Sequence, residues 1–320
     1  MSTKFFRLII ALLFSTLWTA PAFSQVTKKT FSFTPYLHAS DYTGTNLAFD
    51  VYLPDPALFT APYPTVVMIH GGGFSAGSRA DYAGAQGLTQ NGFIVVNTDY
   101  RLASGTTNLW PAQRIDMERL ITFLKSPYST SVLKINPNKI AAIGASAGGL
   151  LAAFTGDNAK FKKKVAKVIT FNGPWDMVDV VSDLRQYGFN AGEYSADAKG
   201  MAMNLLFGPG TPADEAGWNI VIARAVDATP NFGYNNPATP ILDSTLASAV
   251  IVRGSLDTLI PIRQAASGFT MVQTVSGSPG RAIYYEAAGE GHGLSAEVQY
   301  MVVMNPCVLG GWVPPYPACN

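Results

Sequence analysis

The pattern Gly-x-Ser-x-Gly occurs twice in this chain, as Gly73-Phe-Ser75-Ala-Gly77 and as Gly144-Ala-Ser146-Ala-Gly148. A serine in this pattern becomes a nucleophile when it sits on a sharp strand-to-helix turn. Small residues at −2 and +2 then let the strand and the helix approach each other. Around Ser146 the order is the required one: Lys139–Ile143 reads as a strand and Gly149–Phe154 as a helix opening at once behind the serine. Around Ser75 three glycines precede, and Arg79 and Asp81 follow without a helical stripe. Ser146 is the candidate nucleophile, and Ser75 belongs to the neighbouring loop.

That loop is His70-Gly71-Gly72-Gly73-Phe74, directly after the apolar run Thr65–Ile69. Consecutive glycines cost backbone entropy and are tolerated where amides must face a ligand closely. Acyl transfer builds negative charge on the former carbonyl oxygen, and preorganised N–H donors stabilise it. The candidate donors of such an oxyanion hole are the amides of Gly72, Gly73 and Ala147. A phosphate-binding loop fits less well, because no Gly-Lys-Ser/Thr follows and no G-x-G-x-x-G opens a helix here. His70 is expected to brace the loop by hydrogen bonds.

A serine nucleophile needs a base that takes its proton and returns it to the leaving group. The chain has three histidines, His38, His70 and His292. His38 precedes the first expected sheet strands and His70 belongs to the glycine loop, which leaves His292 in Gly289-Glu-Gly-His292-Gly-Leu294. The acid that orients the imidazole should follow a strand between serine and histidine, since the fold that carries a strand-turn-helix serine of this kind runs Ser, acid, His in chain order. The stretch Val250-Ile-Val-Arg-Gly254-Ser-Leu-Asp257 supplies Asp257. Asp243 precedes that strand, Asp176 follows a different one, and Glu286 and Glu290 lie too close to His292 in sequence.

Positioning these residues requires strands that end abruptly and helices between them. Strands are expected at Leu47–Leu53, Thr65–His70, Phe93–Asn97, Lys139–Ile143, Ala166–Phe171, Ser248–Val252 and Arg281–Glu286. Several are unbroken apolar runs, as central strands covered on both faces should be. Helical patterns fall at Pro111–Leu124, with proline in the first turn, at Gly148–Phe154 and at Glu297–Met304. The alternation predicts an α/β architecture, a mostly parallel sheet with helices on both faces. Residues 175–241 break the rhythm with many Gly and Pro, and are either a small cap insertion over the strand ends or a surface excursion.

Composition narrows the setting. Of 320 residues 48% are hydrophobic and 13% charged, which suits a large buried core, and a net charge of +1 gives no electrostatic case for nucleic acid as a partner. Lys4 and Arg7 precede the apolar run Leu8–Leu17 and the small residues Ala22 and Ser24. These are the parts of a signal peptide over residues 1–24, so residues 25–320 are expected as a secreted or periplasmic mature chain with no membrane span. The two cysteines, Cys307 and Cys319, are expected to form a disulfide in an oxidising compartment. Closing so short a loop is worth ~3 kcal/mol in the chain-entropy model. No metal or other cofactor is expected, and oligomeric state is not legible.

With these residues placed, the chain resembles the hormone-sensitive-lipase-like carboxylesterases of the α/β-hydrolase superfamily, including bacterial relatives grouped with feruloyl and acetyl-xylan esterases. The likeness runs from about Leu47 to Leu294. It rests on His70–Gly73, Asp99-Tyr100-Arg101-Leu102, Trp110-Pro111-Ala112 with Asp116, the Ser146 turn, Gly254–Asp257 and Gly291-His292-Gly293. The resemblance implies the α/β-hydrolase fold, one catalytic domain and a Ser146–Asp257–His292 triad acting on small-molecule or polymer-borne esters without cofactor. Where relatives continue the Tyr-Arg-Leu stretch with Ala-Pro-Glu, this chain has Ala103-Ser104-Gly105, so its local loop is expected to differ. Arg101 and Asp116 are expected to pair and hold that loop to its helix. Trp110, Trp175 and Trp218 are candidates either for stacking on a substrate or for packing. An exopeptidase of the same fold and a non-catalytic binding protein on this scaffold are the alternative functions. The first needs a fixed charge for a peptide terminus, and the second usually lacks a triad member or an oxyanion glycine.

Overall fold

The computed structural model describes residues 27–33, 47–157, 164–230, 248–276 and 282–313. The expected leader, His38, Asp243, Cys319 and the end of the 175–241 segment lie outside the described residues, and the pairing expected for Cys307 lies there with Cys319.

Eight strands among the described residues form one sheet: β1 (Thr27–Phe33), β2 (Leu47–Leu53), β3 (Tyr63–Ile69), β4 (Ile94–Thr98), β5 (Ile135–Ala145), β6 (Lys167–Phe171), β7 (Ser248–Gly254) and β8 (Ala282–Ala287). Their spatial order is β1-β2-β4-β3-β5-β6-β7-β8. β2 runs antiparallel to β1 and β4, and every other pair is parallel. A 3-10 segment, Arg79–Asn91, joins β3 to β4. The helices are α1 (Ala112–Leu124), α2 (Pro127–Ser131), α3 (Ala147–Thr155), α4 (Met177–Tyr187), α5 (Ala196–Leu206), α6 (Glu215–Asp227), α7 (Ile262–Ser276) and α8 (Ala296–Val303). This is the α/β-hydrolase arrangement that the sequence predicts.

The continuous apolar strands have the physical cause expected of them. Val67, Ile69, Val96 and Ala142 pack into one core with α1, α3 and α4 to α7. Their neighbours in sequence, Val66, Met68, Val95 and Ile143, pack into a second core with Leu88 of the 3-10 segment and Val303 of α8. Because side chains alternate along a strand, only an unbroken apolar run serves both faces.

Order in the sheet also fixes where a site can form. From β3 the chain crosses to β4 on one side, whereas β5 lies on the other side of β3. Loops leaving the C-terminal ends of β3 and β5 diverge at such a switch point, and the crevice between them is where open α/β sheets bind ligands. The glycine loop follows β3 and Ser146 follows β5.

The 3-10 segment, α2 and α7 were not among the expected helices, and three further elements differ from the sequence expectation. β1 was not expected, because Thr-Lys-Lys-Thr at its start is exposed and carries no apolar run. Pro111 caps α1 from outside and does not enter its first turn. Residues 175–230 hold three regular helices despite their Gly and Pro. The signals were there: Asp176, Ser195 and Asp214 each accept a hydrogen bond from the amide three residues on, at 3.0, 3.1 and 2.8 Å, which is how such residues start helices. Lys199 of α5 is fully buried; its ammonium pairs with Asp183 of α4 at 2.6 Å and donates to the carbonyls of Gly188 and Ala191.

The expected Arg101–Asp116 pair is present and buried. Guanidinium nitrogens lie 2.9 and 3.0 Å from the carboxylate, the Arg101 amide donates to it at 2.9 Å, and the guanidinium also donates to the Ala112 carbonyl. The loop after β4 is thereby tied to the start of α1. Removing one partner of a buried pair strands the other charge, at a cost of about 3–5 kcal/mol. Asp116→Ala is expected to lower unfolding free energy by that amount, read as a fall in the urea midpoint at unchanged slope; an unchanged midpoint would refute this account of the loop.

Candidate active site

Ser146 lies between the last residue of β5 and the first of α3, with φ 54° and ψ −124°. A non-glycine residue adopts such a φ at a cost of order 1–3 kcal/mol and keeps it only where the surroundings over-determine it. Here they do. The Ser146 amide donates to the Phe171 carbonyl at 2.9 Å, and the Ser146 carbonyl accepts from Gly149 at 2.9 Å. A Cβ at Gly144 would collide with the Gly148 carbonyl, and one at Gly148 with the carbonyl of Ile69 on β3. These two glycines let helix, elbow and neighbouring strand touch backbone to backbone, which lifts the serine hydroxyl clear of the sheet end.

Asp257 and His292 come from the loops after β7 and β8. The His292 Nε2 is 2.9 Å from the Ser146 hydroxyl, and its Nδ1 is 2.9 Å from the Asp257 carboxylate. An ionised carboxylate can only accept, so Nδ1 carries the proton and Nε2 is left to accept from the serine. Burial by itself raises the Asp257 pKa. Hydrogen bonds from His292 and from the amides of Ile260 (3.0 Å) and Leu259 (2.8 Å) outweigh it and hold the carboxyl below the ordinary range. The three residues picked out by sequence are thus brought together, although 146 residues separate the first from the last.

The glycine loop turns back on itself through the amides of Ser75 and Ala76, which donate to the Gly72 carbonyl at 3.1 and 3.0 Å. These turn bonds use neither the Gly72 nor the Gly73 amide. Ala147 is the first residue of α3, so its amide is one of the first-turn donors that no helix carbonyl can accept. A small cavity of ≈ 20 Å³ is lined by Gly73, Ser146 and Ala147 together, and not by Gly72. Ser75 is exposed on the turn. His70 is buried, with its Nδ1 2.9 Å from the Gly71 carbonyl and its ring stacked on Tyr100 at 4.1 Å between centroids. Burial holds its pKa below the usual imidazole value, so it stays neutral. The Tyr100 hydroxyl in turn donates to the Gly71 carbonyl at 2.9 Å. Tyr100 adjoins Arg101, so the Asp116 anchor extends to the glycine loop.

Sequence reasoning missed Asn172, the residue after β6. It is buried, with φ 49°. Its side-chain nitrogen donates to the carbonyls of Gly291 (2.9 Å) and His292 (2.7 Å), and its side-chain oxygen accepts from the Gly254 amide at 2.7 Å. One amide side chain therefore fixes the backbone of both loops that carry Asp257 and His292. The available signal was an asparagine before a glycine at the end of an apolar strand, a place where the left-handed region is in use. The tryptophans are not at the site. Trp110 and Trp175 are buried in the core, Trp218 packs against it, and none of the three lines the cavity beside Ser146. Among the described residues, no group of three or more His, Cys, Asp or Glu side chains could hold a metal, and no helix is long and apolar enough to cross a membrane.

Two measurements follow from this geometry. Asn172→Ala strands buried backbone groups of both loops, and is expected to lower unfolding free energy by at least ~1–3 kcal/mol; an unchanged denaturation midpoint would count against the clamp. Asp257 has a lowered folded-state pKa, so its ionised form contributes stability in full above its ordinary value of 3.8. That contribution is lost as pH falls through the lowered value. The stability difference between the native chain and Asp257→Asn should accordingly shrink below about pH 4, as followed by unfolding at stepped pH.

A family model described as BD-FAE matches residues 49–269. The Mycobacterium tuberculosis (strain ATCC 25618 / H37Rv) protein named Esterase LipC is 28% identical over 239 residues, covering 73% of this chain and 54% of that protein. A Stereocaulon alpinum non-reducing polyketide synthase is 30% identical over 139 residues, 41% of this chain and 6% of the synthase. The chain thus spans about half the length of the first of these relatives and a small part of the second. Among solved structures, a bacterial heroin esterase superposes with TM-score 0.59 at 21% identity, covering 93% of this chain and 86% of that one. Carboxyl esterase 2 from the mycorrhizal fungus Tuber melanosporum superposes with TM-score 0.60 at 17% identity, covering 92% and 90%. These two likenesses speak to the fold. With the model matched over more than two-thirds of its length, the chain belongs to the BD-FAE family of α/β-hydrolases.

Proposed function

We propose that this protein is a carboxylic-ester hydrolase that works through an acyl-enzyme on Ser146. The observation that carries the reading is the pair of 2.9 Å contacts from the His292 imidazole, one to the Ser146 hydroxyl and one to the Asp257 carboxylate. The Ser146 oxygen attacks the acyl carbon while its proton passes to Nε2 of His292. The carbonyl electron pair moves onto oxygen, and the amides of Gly73, Ala147 and Gly72 stabilise the resulting oxyanion. Collapse breaks the bond to the alcohol, which leaves with the proton from His292. Water then attacks the acyl carbon as His292 takes its proton, and collapse breaks the bond to the Ser146 oxygen, which regains the proton from His292 as the acid departs. Asp257 keeps the imidazole in the tautomer that accepts from serine and stabilises it when charged.

The cavity beside Ser146 is lined by no charged side chain, which favours a neutral ester over a peptide terminus and so favours esterase over exopeptidase. Residues 175–230 supply the helices whose side chains face Ser146 across that cavity, and we read them as a cap on one catalytic domain. The positive start, apolar run and small residues of 1–24 support export of the remaining chain to the periplasm or medium, where Cys307 and Cys319 would pair. Ester-bearing extracellular material is then the expected substrate source.

The test is release of p-nitrophenol from p-nitrophenyl acetate. Ser146→Ala should lower kcat by ~10⁴-fold or more, and Asp257→Asn by ~10⁴-fold with the fold intact. Ser75→Ala should stay within a few-fold of the native rate. Full activity in Ser146→Ala would sink the proposal.

A further inference from the structure

We infer that Arg253 of β7 is a positioning residue for the Asp257 carboxylate, fixing the turn through which that carboxylate meets His292. The inference rests on the serine-esterase reading above and adds a residue to its machinery.

The two oxygens of the Asp257 carboxylate have separate partners. Oδ2 lies 2.9 Å from His292 Nδ1, and Oδ1 accepts from the amides of Leu259 at 2.8 Å and Ile260 at 3.0 Å. Those amides belong to the turn that begins at Asp257, so the carboxylate is aimed only while the turn keeps its course. A turn's course is set by its peptide planes, because each residue has only two soft backbone torsions. The plane that follows Asp257 carries the Asp257 carbonyl, and Nη2 of Arg253 donates to that carbonyl at 3.2 Å. Among the described residues, Arg253 and His292 are the side chains that hydrogen-bond to Asp257. His292 receives the carboxylate, and Arg253 holds the plane that directs it.

The main chain just before this point is held by other means. The amides of Ser255 and Leu256 donate to the carbonyls of Ala287 and Glu290 at 2.9 and 2.8 Å, and the Asp257 amide donates to the Gly254 carbonyl at 3.1 Å. The next main-chain group along is the Asp257 carbonyl, the one that Arg253 takes.

Arg253 is itself placed from β8. It stands opposite Glu286 in the strand register. Its Nη1 is 3.5 Å from Glu286 Oε2, and the Tyr284 hydroxyl donates to the same oxygen at 3.1 Å. The arginine side chain is 12% exposed and that of Glu286 45%. A pair so open to water adds little stability, and its effect is to orient the guanidinium. The rigid plane of donors lets one side chain serve a carboxylate and a carbonyl together.

The experiment measures kcat and KM for p-nitrophenyl acetate in the native protein, Arg253→Met and Arg253→Lys, and in Asp257→Ala with and without Arg253→Met. Methionine keeps most of the stem and removes the donors. In Arg253→Met, kcat should fall by ~10- to 10²-fold, the scale of a small displacement within a site, with KM held within ~2-fold. Arg253→Lys, which keeps a charged donor, should recover at least ~3-fold of that loss. With Asp257→Ala no carboxylate remains to be aimed, so adding Arg253→Met should change kcat by less than ~2-fold. A role confined to holding the sheet would give the same loss in both backgrounds. Circular dichroism confirms that each variant is folded; should Arg253→Met not fold, Arg253→Gln goes through the same cycle. A native kcat in the folded variant would overturn the inference, as would equal losses with and without the Asp257 carboxylate. Either result, with Ser146→Ala inactive, would leave the serine-esterase reading standing. Activity retained by Ser146→Ala would instead bring down that reading.

Discussion

Backbone meets backbone at the end of β5 with no side chain between. Gly144 faces the Gly148 carbonyl and Gly148 faces the Ile69 carbonyl of β3, and no other residue fits at either position. Everything proposed for this protein depends on that contact. It brings the start of α3 down onto the sheet end, which turns the Ala147 amide toward the crevice and forces the positive φ of Ser146. It also sets the distance between the two loops of the switch point, because Ile69 leads directly into the glycine loop.

Around that fixed point the other site residues are held chiefly through the main chain. Asn172 grips three backbone groups on the loops after β7 and β8. Tyr100 and His70 hold the glycine loop by carbonyl contacts and ring stacking. Arg101 and Asp116 tie the segment carrying Tyr100 to α1. Such an arrangement leaves the reactive side chains free to exchange protons while their Cα positions are constrained, the division of labour that acyl transfer demands of a preorganised site.

How much of this was legible in the sequence depended on whether the constraint was local. Gly144, Ser146 and Gly148 lie within five positions, and the steric need they serve is visible in their spacing. The central strands could be read because alternate residues serve opposite cores, which makes each an unbroken apolar run; their order in the sheet could not. Asp257 and His292 were reachable by elimination, since a chain with three histidines leaves few choices. Asn172 was not reachable that way. Its partners are 82 to 120 residues away, and nothing in its immediate neighbours requires them. The edge strand β1 was missed because half-exposed strands carry little apolar signal, and the helices of 175–230 because glycine and proline in the joints drew more notice than Asp176, Ser195 and Asp214 at the caps.

The position of β8 carries a consequence for how such a site would fail. Among the described residues it closes one side of the sheet and pairs with β7 alone, and of its six residues only Ala282 is buried. His292 hangs from it, whereas Ser146 stands over the packed middle strands. Proteins open in cooperative units of unequal free energy, and partly exposed sheet margins belong to the low end of that range. An excursion that peels β8 from β7 would part imidazole from hydroxyl while β3 to β6 stay folded. Loss of the base is then governed by the protection of a single margin, and amide exchange along Ala282–Ala287 reports it more faithfully than the global melting of the sheet.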